Sequence, residues 1–424
     1  MRAKGIVIAL LLLLCSGPSL KAGGSLISRK EAWALMPFPI LSYNSDLGIQ
    51  LGAFADLLYY GKEPSLYPRY HHKFHFEGSH YTAGQTLIQA DYDSPSLIPG
   101  VRITATAQYQ LDPLLGFYGF SGDPLPYDAS LNRNGTNAFY SYSRTMWKAS
   151  VHLLGDIRGQ LKWIAGLSFW KFRSGDLEFG NYDASNTIFR QYRDARIIRD
   201  EELDLSVTEL RAGLMWDSRD HEQTPTKGSW SELYLTGSPG LGGGGAYLKL
   251  VTRFRFYYTP GPDYLTLAGH IGAQTSLCGQ QPFNMMSSIY QIFPKQTYSE
   301  GLGGLNTVRG VLGARLLGRG YLWANLETRI RILKFKLWGF DLWGAVNPFY
   351  DLGLVTQAAR LEGIAALRGR KADELKGAAT KLHRSLGLGL KAGINSMILS
   401  IEAARPLNPD DGTFGISFTT FYIF

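Results

Sequence analysis

Arg309 is the residue in this chain whose setting most invites chemistry. It lies in Gly303-Gly304-Leu305-Asn306-Thr307-Val308-Arg309-Gly310, with glycines on both sides, so the backbone there can fold tightly. A guanidinium presents a planar fork that suits a carboxylate. Glu327 and Asp351 supply carboxylates on polar positions of the two alternating segments that follow. Other candidates are weaker. Gly240–Gly245 fits G-x-G-x-x-G, but a strand follows it where a nucleotide site needs a helix, so it is read as a loop tip. Of His71, His72, His75 and His80, only His71 and His75 share a face with Glu77, which suits a polar, aromatic rim better than a metal site. No G-x-S-x-G, H-E-x-x-H or P-loop occurs. The expectation is therefore no catalytic residue, no metal and no cofactor.

The elements that must position Arg309 are strands. Leu322, Ala324, Leu326, Ile330 and Ile332 alternate with Tyr321, Trp323, Asn325, Glu327, Arg329 and Arg331. The same period of two recurs from Met36 to Phe424. A soluble sandwich buries the apolar face against a second sheet, whereas a membrane barrel turns it to lipid and keeps charge in the lumen. Composition favours the barrel: charged residues are 18%, aromatic residues 13%, and 49 of 424 residues are glycine. Soluble domains carry charge nearer ~25%.

Sixteen strands are predicted, from Met36–Tyr43 at the start to Thr413–Phe424 at the end. The long connections, Asp112–Ser143, Ser174–Ser206, Ser276–Arg319 and Val355–Leu382, all follow odd-numbered strands. Connections after even-numbered strands are short. Bacterial barrels have short periplasmic turns and long extracellular loops, so both termini are expected in the periplasm. The fold class is thus all-β: a 16-stranded antiparallel transmembrane β-barrel with a plug-like loop between the eleventh and twelfth strands.

The N-terminus sets the compartment. Arg2 and Lys4 precede the apolar run Ile6–Leu14, and a small-residue site ends at Ala22. Residues 1–22 read as a secretory signal peptide, 23–35 as a short periplasmic segment and 36–424 as the barrel. Cys15 follows Leu14 where lipidation wants a small residue, so a lipoprotein is not expected. Losing Arg2, Lys4 and Lys21 takes the formal charge from +8 to about +5, too mild to suggest nucleic acid. Only Cys278 would remain, so no internal disulfide is possible. Ala358–Leu382 has helical periodicity and basic residues. It reads as a solvated charged helix, with contact to lipopolysaccharide phosphates as the alternative.

Several motifs in order resemble the BamA/TamA superfamily of outer-membrane assembly and transport barrels (bacterial surface antigen family). Gly303–Gly310 resembles its Val-Arg-Gly loop, which lies between the eleventh and twelfth strands. Asp217, Arg219 and Asp220, then Pro225 and Gly228, are similar to its Asp-x-Arg-Asp…Pro…Gly turn. Asn325-Leu326-Glu327 and Phe349-Tyr350-Asp351-Leu352-Gly353 are similar to its twelfth and thirteenth strands, and Gly116–Gly122 is a weaker match. The final segment, with Phe418, Tyr422 and the last residue Phe424 on one face, looks like the targeting signal of such barrels.

The resemblance implies that Arg309 enters the lumen and pairs with Glu327 and Asp351, plugging the barrel with Gly310 beside it; a solvated surface arginine is the alternative. About a dozen residues separate the signal from the first strand, so no periplasmic POTRA domain is expected, as in barrel-only members. Pro37 and Pro39 cannot donate to a ladder, and the first strand must pair with the last. That seam is expected to be the weakest part of the wall. The implied function is insertion or translocation of proteins or lipids at the outer membrane. Expected partners are outer-membrane lipid and lipopolysaccharide, the assembly machinery during biogenesis, and an unknown protein or lipid substrate. A passive or gated pore, a surface antigen or adhesive barrel, and a lipid-acting barrel enzyme are the alternatives.

Overall fold

The computed structural model describes residues 33–424, apart from 45–46, 62–69, 132–136, 178–182, 223, 262–263, 292–296, 338–339, 395–396, 420–421 and 423. The predicted signal peptide lies outside the described residues. The strands are β1 (Trp33–Asn44), β2 (Gly48–Tyr59), β3 (His72–Tyr81), β4 (Thr86–Ile98), β5 (Val101–Gly116), β6 (Ser141–Arg158), β7 (Leu161–Gly175), β8 (Asp204–Asp217) and β9 (Gly228–Pro239). They continue as β10 (Ala246–Tyr258), β11 (Leu265–Gly279), β12 (Ser288–Gln291), β13 (Thr297–Glu300), β14 (Gly320–Leu337), β15 (Phe340–Gln357), β16 (His383–Ile394), β17 (Met397–Pro406) and β18 (Gly415–Thr419). Sixteen of them close into one barrel, each paired antiparallel with its neighbours in sequence. The exceptions, β12 and β13, form a hairpin of their own inside the connection from β11, so the twelfth wall strand is β14.

The barrel is apolar outside and polar within. On β14, Tyr321, Trp323, Asn325, Glu327 and Arg329 are buried, while Leu326 and Ile332 are 51% and 59% exposed. Leu51, Ile88, Leu210, Phe254, Ile271 and Leu388 repeat that outward exposure around the wall. An apolar belt of this extent is stable only against lipid. Among the described residues no helix is long and apolar enough to cross a membrane.

The seam departs from expectation on both of its strands. β1 is longer than the expected Met36–Tyr43: it begins at Trp33, inside the segment assigned to 23–35, and pairs with β2 over twelve residues. That ladder runs unbroken through Pro37 and Pro39, so the donors the prolines lack belong to the seam side. The short strand is β18, which ends at Thr419 and not at Phe424. Among the described residues, β1 meets β18 at the single pair Asn44 and Ser417. Counting on from that pair, Pro39 would face Tyr422 and Pro37 would face Phe424. A longer last strand would therefore meet two missing donors just where it was expected to run.

The long loops gather at one rim. Among the described residues they contain four short helices: α1 (Ile188–Asp194), α2 (Phe283–Met286), α3 (Leu361–Arg368) and α4 (Ala372–Ala379). These pack with the 117–120 and 138–142 segments into a hydrophobic dome. Phe117 is its hub. Phe120, Tyr142, Phe189, Tyr192 and Phe283 stand nearly perpendicular to its ring, at 5.2–6.2 Å between centroids.

Arg360 and Arg368, expected on a solvated helix, point inward instead. Arg360 donates to both carboxylate oxygens of Glu202, at 2.5 and 2.9 Å, and Arg368 grips Asp123 at 2.9 and 3.0 Å. Buried apolar residues on α3 and α4, Ile364 and Leu375, pull the segment down and carry the arginines with them.

The Glu202 pair makes the dome acid-sensitive. Burial alone would raise its pKa, but Arg360 outweighs burial and holds it below the ordinary 4.5. A depressed folded pKa gives stability that is present above the unfolded value and lost as pH falls through the folded one. Pepsin cleavage of the dome should therefore rise as pH drops below about 4.5, and Glu202→Gln should already be open at neutral pH and lack that step. Identical acid profiles for the two proteins would rule the link out.

Candidate functional site

The connection from β13 to β14 turns into the lumen and makes a small core of its own. Leu302, Val308, Val311 and Leu316 pack with Ile289, Tyr321, Trp323 and Val355. The loop is closed internally: Leu302 and Leu316 bridge, and the Gly304 amide donates to the Val311 carbonyl at 2.8 Å. The wall holds its backbone as well. Asn325 Nδ2 donates to the Thr307 carbonyl at 2.6 Å, and Tyr321 Oη donates to the Gly318 carbonyl at 2.8 Å.

Val308, Arg309 and Gly310 each need their own residue type. Val308 is fully buried and sits where a Cβ on Gly353 would come within 2.8 Å of its methyl. Gly310 has φ +85°, and a Cβ there would meet Ala404 of β17 at 2.8–2.9 Å, so only glycine lets the loop touch that wall. Arg309 is 2% exposed. Its Nε and Nη2 donate to the two oxygens of Asp351 at 2.7 and 2.9 Å, and its backbone amide donates to the same carboxylate at 3.0 Å. The guanidinium carbon lies 3.4 Å from the centroid of the Phe349 ring.

Of the two expected carboxylates, Asp351 takes the fork. Glu327 stands at 3.7 Å from Nη1, accepts from Asn347, and faces Arg329 at 3.7 Å. A third carboxylate, Glu402 on β17, lies at 3.4 Å from Nη1 and binds Lys391 Nζ at 2.8 Å. Sequence reasoning missed Glu402. Its inward position two residues from Ser400 and Ala404 was legible from alternation, but nothing local tied it to Arg309. The result is a lumen in which the cations Arg309, Arg329 and Lys391 are matched by Asp351, Glu327 and Glu402. Such a network suits positioning a loop; no acid–base pair or nucleophile stands out in it.

The second motif forms the connection between β8 and β9. Arg219 forks onto Asp217 at 2.7 and 2.8 Å. Asp220 accepts from the amides of His221, Thr226 and Lys227 at 2.9–3.1 Å. Gly228 has φ +97°, and a Cβ would lie 2.2 Å from the Ser218 oxygen. The Pro225 carbonyl accepts from Arg329 Nη1 at 3.3 Å, so this turn leans on the same lumenal network.

The C-terminal residues are divided by the wall. Phe418 follows the lipid-facing Ile416 by two positions on β18. Tyr422 is inside: its ring stacks near Trp343 and lies 3.9 Å from the Arg329 guanidinium. Phe424 is also inside, buried against Tyr257 and Ala268, and its carbonyl accepts from Arg329 Nη2 at 2.6 Å. Phe418 thus lies on β18, while Tyr422 and Phe424 lie beyond it on the lumenal side. An aromatic and cationic pocket competes for the residues that the prolines of β1 leave unpaired. Among the described residues no group of histidine, cysteine, aspartate or glutamate could hold a metal; His75 contacts Asp56 and Glu77 instead.

A closed, inside-polar barrel carrying a loop locked in its lumen by a buried arginine defines an outer-membrane barrel with an internal plug loop. The chain belongs to the Omp85 superfamily, whose domain matches residues 81–421. Among solved structures it is similar to BamA from Haemophilus ducreyi lacking POTRA domains 1-3, with TM-score 0.57 and 17% identity, covering 92% of this chain and 70% of that one. It is also similar to CdiB from Escherichia coli, with TM-score 0.56 and 13% identity, covering 92% of this chain and 63% of that one. At these identities the likeness is one of fold. No protein of curated function matches the sequence. The protein is an integral outer-membrane β-barrel.

Proposed function

We propose that this barrel inserts or translocates protein or lipid at the outer membrane, with the Arg309 loop as a lumenal lock and the β1–β18 seam as a lateral exit. The carrying observation is the seam. A five-residue last strand meets β1 at a single described pair, and the prolines of β1 lack two donors just beyond it, while the other described wall contacts are ladders of five pairs or more. Edge strands with unpaired groups are templates for pairing with another chain or for parting. In this reading the dome faces outward, both termini are periplasmic, and the apolar belt contacts outer-membrane lipid. The dome and the locked loop both occupy the path an open pore would need, which favours this reading over passive conduction.

The test is a reversible staple. Asn44→Cys with Ser417→Cys, in a Cys278→Ser background, should form a disulfide across the seam. In cells that depend on this protein, oxidation should abolish complementation and reduction should restore it. Full complementation by the oxidised protein would overturn lateral opening.

A further inference from the structure

The lumenal wall away from the plug has more buried positive charge than its carboxylates can balance. Arg253 and Arg255 sit two apart on the inward face of β10. Arg255 Nη1 donates to Glu232 at 2.9 Å, but its buried Nε and Nη2 have no acceptor. Arg253 makes no hydrogen bond or ion pair among the described residues. Its guanidinium lies 5.3 Å from the Trp323 ring centroid, and its buried Nε has no acceptor. The two arginines are 5% and 1% exposed. Across β9, Arg211 stands over Tyr234 at 5.3 Å. Burying a charge without compensation is strongly unfavourable, and the plug side shows this same barrel matching its cations one for one.

We propose that Arg211, Arg253 and Arg255 bind a phosphate group within the lumen. Arg253 and Arg255 against the one carboxylate of Glu232 leave one positive charge, and Arg211 stands beside them with Glu209 and His152. A phosphate group carries about −1.5 to −2 at neutral pH. Guanidinium forks suit its oxygens, and an apolar or neutral ligand would leave the charges uncompensated. On the side away from the dome the neighbouring side chains are cationic as well. There Arg219 shares the Trp230 ring with Arg255, at 4.0 and 3.8 Å, and Arg329 and Arg331 line a small cavity with Tyr422. The phosphate comes either as the free ion or on a sugar headgroup of a membrane lipid. The inference does not depend on the transport role proposed above.

The experiment uses the full barrel in neutral detergent micelles at constant ionic strength. Thermal unfolding is followed in sodium phosphate, in glucose 1-phosphate and in sodium chloride. Phosphate or the sugar phosphate should raise the midpoint and saturate, as expected for a site. Arg253→Gln should abolish the shift, and Arg253→Lys, which keeps the charge but not the fork, should weaken binding at least tenfold. Arg370→Gln, on the exposed end of the α3 segment, should leave it intact. A shift with phosphate alone assigns the free ion, and a shift with the sugar phosphate alone assigns a headgroup. No shift with either, or the same shift in a folded Arg253→Gln protein, overturns the site.

Discussion

Arg309→Ala is expected to cost about 3–5 kcal/mol of barrel stability, the range for breaking a buried ion pair by removing one partner. The lost group is a guanidinium held by both oxygens of Asp351 and approached by Glu402 and Glu327. Its removal leaves three buried carboxylates facing Arg329 and Lys391 alone. The backbone bond from residue 309 to Asp351 is too little to hold the loop against that repulsion. The loop should leave the wall, and trypsin should cut at Arg315, which is now tied to Asp410 and Asp411. Arg309→Lys should fall between, because it keeps the charge and loses the fork. Combining Arg309→Ala with Asp351→Asn should cost less than the sum of the two, since the pair is directly coupled. An unfolding temperature and tryptic pattern unchanged in Arg309→Ala would show that the contact does not hold the loop.

Phe117→Ala should open the dome and spare the wall. Removing a fully buried phenylalanine costs about 3–5 kcal/mol, and this one supports five aromatic rings drawn from three connections. No strand ladder passes through it, so the loss should appear as local opening and not as global unfolding. Limited proteolysis should reach 184–203 and 361–379, while the heat resistance of the barrel stays near wild type. Protection of those segments in the variant would count against the hub, and collapse of the barrel would show that dome and wall fold as one unit.

Much of the candidate site was open to reading from local pattern. Alternation in β14 placed Glu327 inward, the same logic placed Asp351, and the glycines around Arg309 marked a tight loop. Glu402 was missed because it lies on β17, 93 positions from Arg309, and the contact exists only once the barrel closes. The seam between the first and last strands was read from the prolines, but the short strand there is the last and not the first. A proline shows which donor is missing and not which neighbour then lets go. The basic stretch with Arg360 and Arg368 misled for a similar reason. Its charge pattern suits a solvated helix, and only the partners Glu202 and Asp123, from loops more than 150 positions away, turn it inward.

What the sequence determined by itself is the wall: its period of two, its sixteen strands, the sorting of long and short connections, and the loop that carries Arg309. These are local properties, because strand direction and face repeat every second residue whatever lies across the barrel. The tertiary structure decided which carboxylate takes the fork, that the long loops share one hydrophobic core, and that Tyr422 and Phe424 lie inside. Those outcomes depend on which groups meet across a closed ring. Burial there turns an unpaired charge or an orphaned donor into a large cost that no stretch of sequence can assign to its partner.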